Sequence, residues 1–331
     1  MFNTEIAEAI QSVNIFDMAQ KTVYAPTTLT EDEKKVAELF DPYIKKMGNG
    51  VDPNCEISAF LQRTLQDEMF NAPDEILDIM FDRSNIGEFD AIESTFNANN
   101  KLVAYEAAKG GNVPRSFLDI SRLTPVVKNL QVETDISYAD IRKGGWKTFA
   151  LLVDYADAAL KNKMFKLVFN ALDAAILSNA DNYINETTTS PTEGSMDAVA
   201  TYINDRTQNG AIITLTKWIT KINKLSSASD EMKNELNRTG KLGYYLGVPL
   251  MGISGAAKLP DGTLQIPDRR IFGVAGKIGT LDMMGNVIAY QTPENQKQQY
   301  HITISNFTFA YAFSADTLDK VCKMVIATPQ T

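Results

Sequence analysis

Three features of the 331-residue sequence predict an α+β fold. Residues 146–183 contain no Pro or Gly and are rich in Ala, Leu and Lys, so one long helix is expected there. Strand-like segments flank it on both sides, where an all-α protein would continue with further helices. The chain after residue 240 alternates short apolar runs with glycine turns.

The long helix is the spine of this reading. Phe149, Leu152, Val153, Ala156, Leu160, Met164, Leu167, Val168, Ala171, Leu172, Ala175 and Ile176 recur at spacings of three and four, which places them on one stripe. At about 1.5 Å per residue it would be on the order of 50 Å long, more than the width of a small domain. Other elements are therefore expected to lie along it.

In chain order, Ile6, Ala9, Ile10, Val13 and Phe16 fit a short opening helix over residues 1–20, followed by weak periodicity through Pro26. Thr30 begins a capping box with Glu33, and Gly48 is a natural stop for the helix between them. Further helices fit 56–70 and 73–81, the second with Pro73 in its first position. The loops between them are long for a bundle, so residues 1–71 read as an arm lying over a partner surface, with a compact helical bundle as the alternative. From 86 to about 137 two strand-like stretches, 95–106 and 126–138, flank Gly110, Gly111 and Pro114. This describes a two-stranded excursion with polar side chains on both faces, which needs a neighbour to cover it.

After the spine, 185–195 reads as a Thr-, Ser- and Pro-rich linker. A helix near 197–207, a strand-to-helix passage at 210–227, a charged helix from Ser229 to Gly240 and a turn into an apolar strand at 243–255 follow. Strands with Gly turns fill 271–291. From Tyr300 the alternation sets His301, Thr303, Ser305 and Phe307 opposite Ile302, Ile304 and Asn306, and a last strand fits 323–328.

Hydrophobic residues make up 44% of the chain, enough for substantial cores. The net charge is −9 and no Lys/Arg run occurs, which argues against tight phosphate-backbone binding as the main task; a nucleic acid would be enclosed without sequence-specific contact. No leader-like N-terminus or 18-residue apolar window is present, so synthesis in the cytosol without a membrane is expected. Cys55 and Cys322 lack metal-ligand spacing and read as buried thiols. The Asn-x-Thr triplets at Asn185 and Asn306 matter only to a secreted protein.

No catalytic, cofactor or metal set emerges. His301 is the sole histidine and stands among β-formers without a nucleophile motif, so it reads as a strand residue. Gly276–Lys277 lacks the spacing of a phosphate loop, and Gly240, Gly243 and Gly247 lack that of a dinucleotide fingerprint; both read as turns. Asp154 with Asp157, and Asp173 with Asp181, invite a carboxylate metal site, but the helix has no His and carries Lys161, Lys163 and Lys166, so a solvated charged face is expected. Residues 181–186 lack the glycine of a calcium loop. Met283, Met284, Phe307, Phe309, Tyr311 and Phe313 are expected to fill a core or a subunit interface.

The strand at 132–145 running into Trp146, the turn and strand at 247–253, the segment 271–282 and the final 301–313 occur in an order that resembles the major capsid protein of tailed double-stranded DNA bacteriophages, the Hong Kong 97-type fold. The resemblance spans the whole chain and rests on architecture rather than on a fixed signature. It implies an N-terminal arm at 1–71 and an extended loop at 86–140. It further implies a peripheral domain from 72–85, 141–195 and 295–331, and an axial domain at 196–294. It also implies self-assembly into hexamers and pentamers that form an icosahedral shell around the phage genome, with the acidic balance suiting an interior that lets DNA slide. The protein would reside in the virion after synthesis in the host bacterial cytoplasm, and would not be an enzyme. Portal and decoration proteins are further partners the family implies. The chain opens on Met1 almost at the arm, which favours a separate scaffolding protein. Some relatives cross-link a loop Lys to an Asn; Lys101 and Lys109 lie in the corresponding region, but no partner Asn or assisting carboxylate is identifiable, so that chemistry is not carried over. An encapsulin-type bacterial compartment shell is the alternative, and a cytosolic α/β enzyme a third; the long loop and arm favour the virus over the compartment, and the lack of a convergent polar set stands against the enzyme.

Overall fold

The computed structural model describes residues 13–50, 56–71, 74–87, 94–99, 119–207, 209–225, 243–254, 262–313 and 315–328, with isolated positions 90, 92 and 106. The opening stretch 1–12, the charged helix expected at 229–240, Cys55, Lys101, Lys109 and the Gly110–Gly111 tip lie outside the described residues.

The spine is α6 (Trp146–Ala175), a 30-residue helix that stops eight residues short of the expected end. Its ends are set by side chains remote in sequence. At the N-terminus Gly145 takes φ 50°, ψ −126°, and the Asp41 carboxylate accepts from Trp146 N at 3.1 Å. At the C-terminus the buried Lys323 ammonium donates to the carbonyls of Asp173 and Ile176, each at 2.6 Å, supplying positive charge where the helix dipole is negative. Asn182 then donates to the carbonyls of Leu318 and Val321, tying down the turn that follows.

Helices α1 (Ile15–Tyr24), α2 (Glu31–Met47), α3 (Glu56–Asn71) and α4 (Glu75–Met80) precede the first strand. Thr30 and Glu33 form the expected capping box: Glu33 N donates to Thr30 Oγ1 and Thr30 N to Glu33 Oε2. The helix expected at 73–81 is α4, with Asp74 as its N-cap, and Pro73 lies outside the described residues. Helix α1 falls partly where periodicity had looked weak, with Asn14 as its N-cap. The arm expected over a neighbour is corrected here, because α1, α2 and α3 pack on this chain's own spine. Ile15, Phe16, Met18, Val36 and Phe40 join the common core; at roughly 1.5–3 kcal/mol per large apolar side chain buried, docking in cis outweighs an extended solvated arm.

Two sheets flank the spine. Strands β1 (Phe81–Ile86), β4 (Val126–Ser137), β10 (Gly279–Met284), β11 (Ile288–Glu294) and β12 (Gln299–Phe313) form the first. β12 is its axis: β4 pairs antiparallel along one edge, while β11 and then β10 pair along the other. Helix α5 (Tyr138–Gly144) links β4 to the spine. Asn306, at φ 61°, sits where the β12–β4 register shifts, so the inward series runs Tyr300, Ile302, Ile304 and then Phe307, Phe309, Tyr311. Phe307 therefore faces the core with Ile302 and Ile304, a correction to the unbroken alternation expected.

The second sheet runs β5 (Tyr183–Glu186), β13 (Val321–Ile326), β9 (Arg270–Val274), β6 (Ala211–Leu215), β8 (Val248–Ile253), β7 (Tyr244–Tyr245). Helices α7 (Glu193–Asn204) and α8 (Thr216–Ile222) pack on it, with the strand-to-helix passage at 211–222 as expected. The C-terminal half of the spine meets this sheet through Phe169 and Phe272, ring centroids 5.6 Å apart, and through Arg270 Nε to Asp173 Oδ1 at 2.8 Å. Strand pairing departs from the boundary expected at 294/295: 279–294 pair in the first sheet, whereas 183–186 and 321–326 pair in the second.

The expected linker 185–195 is instead a turn organised by one carboxylate. Glu186 is buried; its Oε1 accepts from Thr188 N and Oγ1 at 2.9 and 2.8 Å, and its Oε2 from Thr192 N and Oγ1 at 3.2 and 2.5 Å. Burial acts to raise its pKa, but these donors and Ser195 outweigh it and hold the carboxyl at about 2. A depressed acid stabilises the fold above the unfolded value near 4.5 and loses that contribution as pH falls toward 2, on the order of 3 kcal/mol in all. Glu186→Gln should lower the thermal midpoint at pH 7 and flatten the stability profile between about pH 4.5 and 2. Acid denaturation curves check this; a variant profile parallel to the wild type would refute the role.

Candidate assembly surface

Within the stretch expected to form the extended loop, β2 (Ser94–Asn99) pairs antiparallel with β3 (Asp119–Leu123) as a two-stranded sheet. The second strand had been placed at 126–138; that stretch is β4 and pairs with β12 instead. Both candidates are strand-like, and β12 supplies a partner edge for residues 126–137 that only the tertiary fold creates. Among the described residues β2–β3 pairs with no other strand, and the outer edge of β4 carries no ladder partner. An unpaired twelve-residue edge is a template for another chain. Val126 and Val127, at the loop end of that edge, are exposed.

Further apolar side chains are uncovered elsewhere on the chain. Tyr24 and Tyr155 project from the seam between α1 and the spine, 68% and 64% exposed, more than side chains packed in cis would be. Tyr244 and Leu246 stand on the β7–β8 hairpin, where Leu246 takes φ 46° and Gly247 φ 83°. Leu177 follows the spine and Tyr290 lies on β11. Such patches at several separated places suit a subunit with several neighbours.

The residues singled out for chemistry serve the fold. Asp154 and Asp157 are buried, a correction to the solvated face expected. Asp154 accepts from Tyr24 Oη at 2.6 Å, which pushes the Tyr24 hydroxyl up to about 12, and from Gln20 Nε2 at 3.5 Å; Asp157 pairs with Lys161 at 3.1 Å. Asp154 thus ties α1 to the spine, while Asp157 and Lys161 pair within the spine. Asp173 meets Arg270 and Lys323, and among the described residues it belongs to no metal-holding carboxylate group with Asp181. Lys277 donates to the carbonyls of Asp78 and Phe81, closing the corner between α4 and β1 beside a turn in which Gly276 has φ 89°. His301 Nδ1 lies 2.8 Å from Asp135 Oδ1, its cross-strand partner on β4; that hydrogen bond raises the histidine pKa at an exposed site. Met283, Phe307, Phe309 and Tyr311 are buried in the core, with Phe307, Phe309, Tyr311 and Phe313 forming a ladder of rings 5.9–6.3 Å apart. Cys322 is buried in the same core, which pushes its thiol up to about 12. Among the described residues no group of His, Cys, Asp or Glu could hold a metal ion. A small hollow between Ile44, Ile136, Ile141, Phe149, Leu152 and Ile302 is wholly apolar.

Sequence reasoning missed Asp41, Glu186 and Lys323, the three side chains that fix the spine and the turn after it. Nothing local marks Asp41 or Lys323, because each acts on backbone more than 100 residues away. Glu186 had a local signal in the Thr and Ser residues that follow it.

Comparison with known proteins points the same way as these surfaces. No curated protein matches the chain. Solved structures from three phages share its fold: Mycobacterium phage Bobi at TM-score 0.55 and 10% identity, covering 83% of this chain and 98% of that one; Gordonia phage Cozz at 0.51 and 11%, covering 78% and 92%; and Mycobacterium phage Ogopogo at 0.51 and 14%, covering 77% and 92%. The α+β architecture is thus the Hong Kong 97-type capsid fold. The model of the family described as "SPbeta prophage-derived putative capsid protein YonB" matches residues 4–259, well over half of the chain, and the chain therefore belongs to that family.

Proposed function

We propose that this protein is the major capsid subunit of a tailed phage or prophage, assembling as hexamers and pentamers into an icosahedral shell around double-stranded DNA. Membership of the prophage-derived capsid family carries the reading and favours a virion over a bacterial compartment. The family role is structural rather than enzymatic. Residence in the virion follows from that role, after synthesis in the host bacterial cytoplasm; no helix among the described residues is long and apolar enough to cross a membrane. A separate scaffolding protein, a portal and decoration proteins are the further partners of such a shell.

The axial unit is assigned to the six-stranded sheet with α7 and α8, and the peripheral unit to the spine and the five-stranded sheet. In this assignment the β2–β3 loop and the open edge of β4 reach a neighbouring subunit, and the Tyr244–Leu246 hairpin meets its counterparts about the capsomer axis. Deleting 104–116 should leave a subunit with unchanged unfolding midpoint that forms few complete shells. Electron microscopy of the product checks this, and normal shells from the deletion would remove the loop from assembly.

A further inference from the structure

We propose that the exposed face of α8 is a binding site for the phosphate backbone of nucleic acid, which would turn this side of the six-stranded sheet toward the enclosed DNA; the inference rests on the shell reading above. Lys217 and Lys221 are spaced i, i+4 on α8 and so share a face, and Lys224 follows just past the end of the helix. The indole of Trp218 is the floor beneath Lys217, Lys221 and Arg269. Lys217 Nζ lies 5.3 Å from the ring centroid, Lys221 Nζ 4.5 Å, and the Arg269 guanidinium 5.9 Å. Attraction to the ring face holds these cations together against their mutual repulsion.

Among the described residues little neutralises them. Asp268 takes Lys217 at 2.5 Å and is the one carboxylate ion-paired to this group among the described residues. Lys221 has a hydroxyl partner, Ser190 Oγ at 3.2 Å, and Arg269 has a carbonyl partner, Ala327 O. Three cations gathered at one ring, with one ion-paired carboxylate among the described residues, stand out in a chain of net charge −9. Trp218 is buried, so bases have no exposed ring on which to stack; the site fits phosphate and is blind to sequence.

The test uses the full-length unassembled subunit and a random-sequence DNA duplex, with binding measured across about 0.05–0.2 M salt. Lys217→Gln with Lys221→Gln should weaken binding by about tenfold or more and reduce the slope of log K against log salt by about 2, one unit for each phosphate no longer neutralised. Lys34→Gln with Lys35→Gln, exposed on α2, serves as the control and should leave both unchanged. Wild-type affinity and slope in the α8 variant would overturn the proposal. So would loss of shells with DNA binding intact, since the face would then meet carboxylates of a neighbouring copy. Failure of the wild type to form shells would count against the capsid reading instead, because the binding slope is read before assembly.

Discussion

Lys323→Met is expected to lower the unfolding free energy of the isolated subunit by ~3–5 kcal/mol, the scale for removing one member of a buried ionic group. The methionine retains most of the stem volume, so the loss would come from polar groups left behind. The carbonyls of Asp173 and Ile176 lose the same donor, and the Asp173 carboxylate, 3.3 Å from Lys323 Nζ, keeps Arg270 alone. Because Lys323 lies on β13 and its acceptors end the spine, the substitution also removes one tie between the spine and the six-stranded sheet, leaving Phe169–Phe272 and Arg270–Asp173. Urea unfolding followed by tryptophan fluorescence measures the loss. A change under about 1 kcal/mol would place this lysine among ordinary surface pairs.

Gly145→Ala is expected to cost about 2–4 kcal/mol at the other end of the same helix. Roughly 1–3 kcal/mol is strain, since φ 50° with ψ −126° is a backbone conformation that side chains rarely adopt. A further ~1 kcal/mol is the lost cap, because the new methyl would overlap the Asp41 carboxylate that accepts from Trp146 N. Asp41→Ala separates the two contributions and should cost only the second. Equal losses in the two variants would show that the backbone at Gly145 relaxes without strain.

These substitutions mark how far the sequence could be read. Residues with short-range partners were legible: the Thr30–Glu33 box and the passage from β6 into α8 follow from spacing within a few residues, as does the strand character from Tyr300 but not its irregularity at Asn306. The end of the spine was not, because nothing between Ala175 and Tyr183 forbids a helix until Lys323 and Asn182 supply better partners. Asp154 and Asp157 looked solvated beside three lysines, but Tyr24 and the apolar side of α1 cover them. The cis docking of α1–α3 was hidden for the same reason: loop length says how far a helix can travel, and the buried stripes say where it stops. The expected loop kept its place in the order of parts, while its second strand moved from 126–138 to 119–123 because β12 competes for the former.

Self-association of the purified full-length protein is the most direct test of the capsid role. Light scattering with electron microscopy should find megadalton closed shells or capsomers that convert to them; a stable monomer at concentrations where related shells assemble would contradict it.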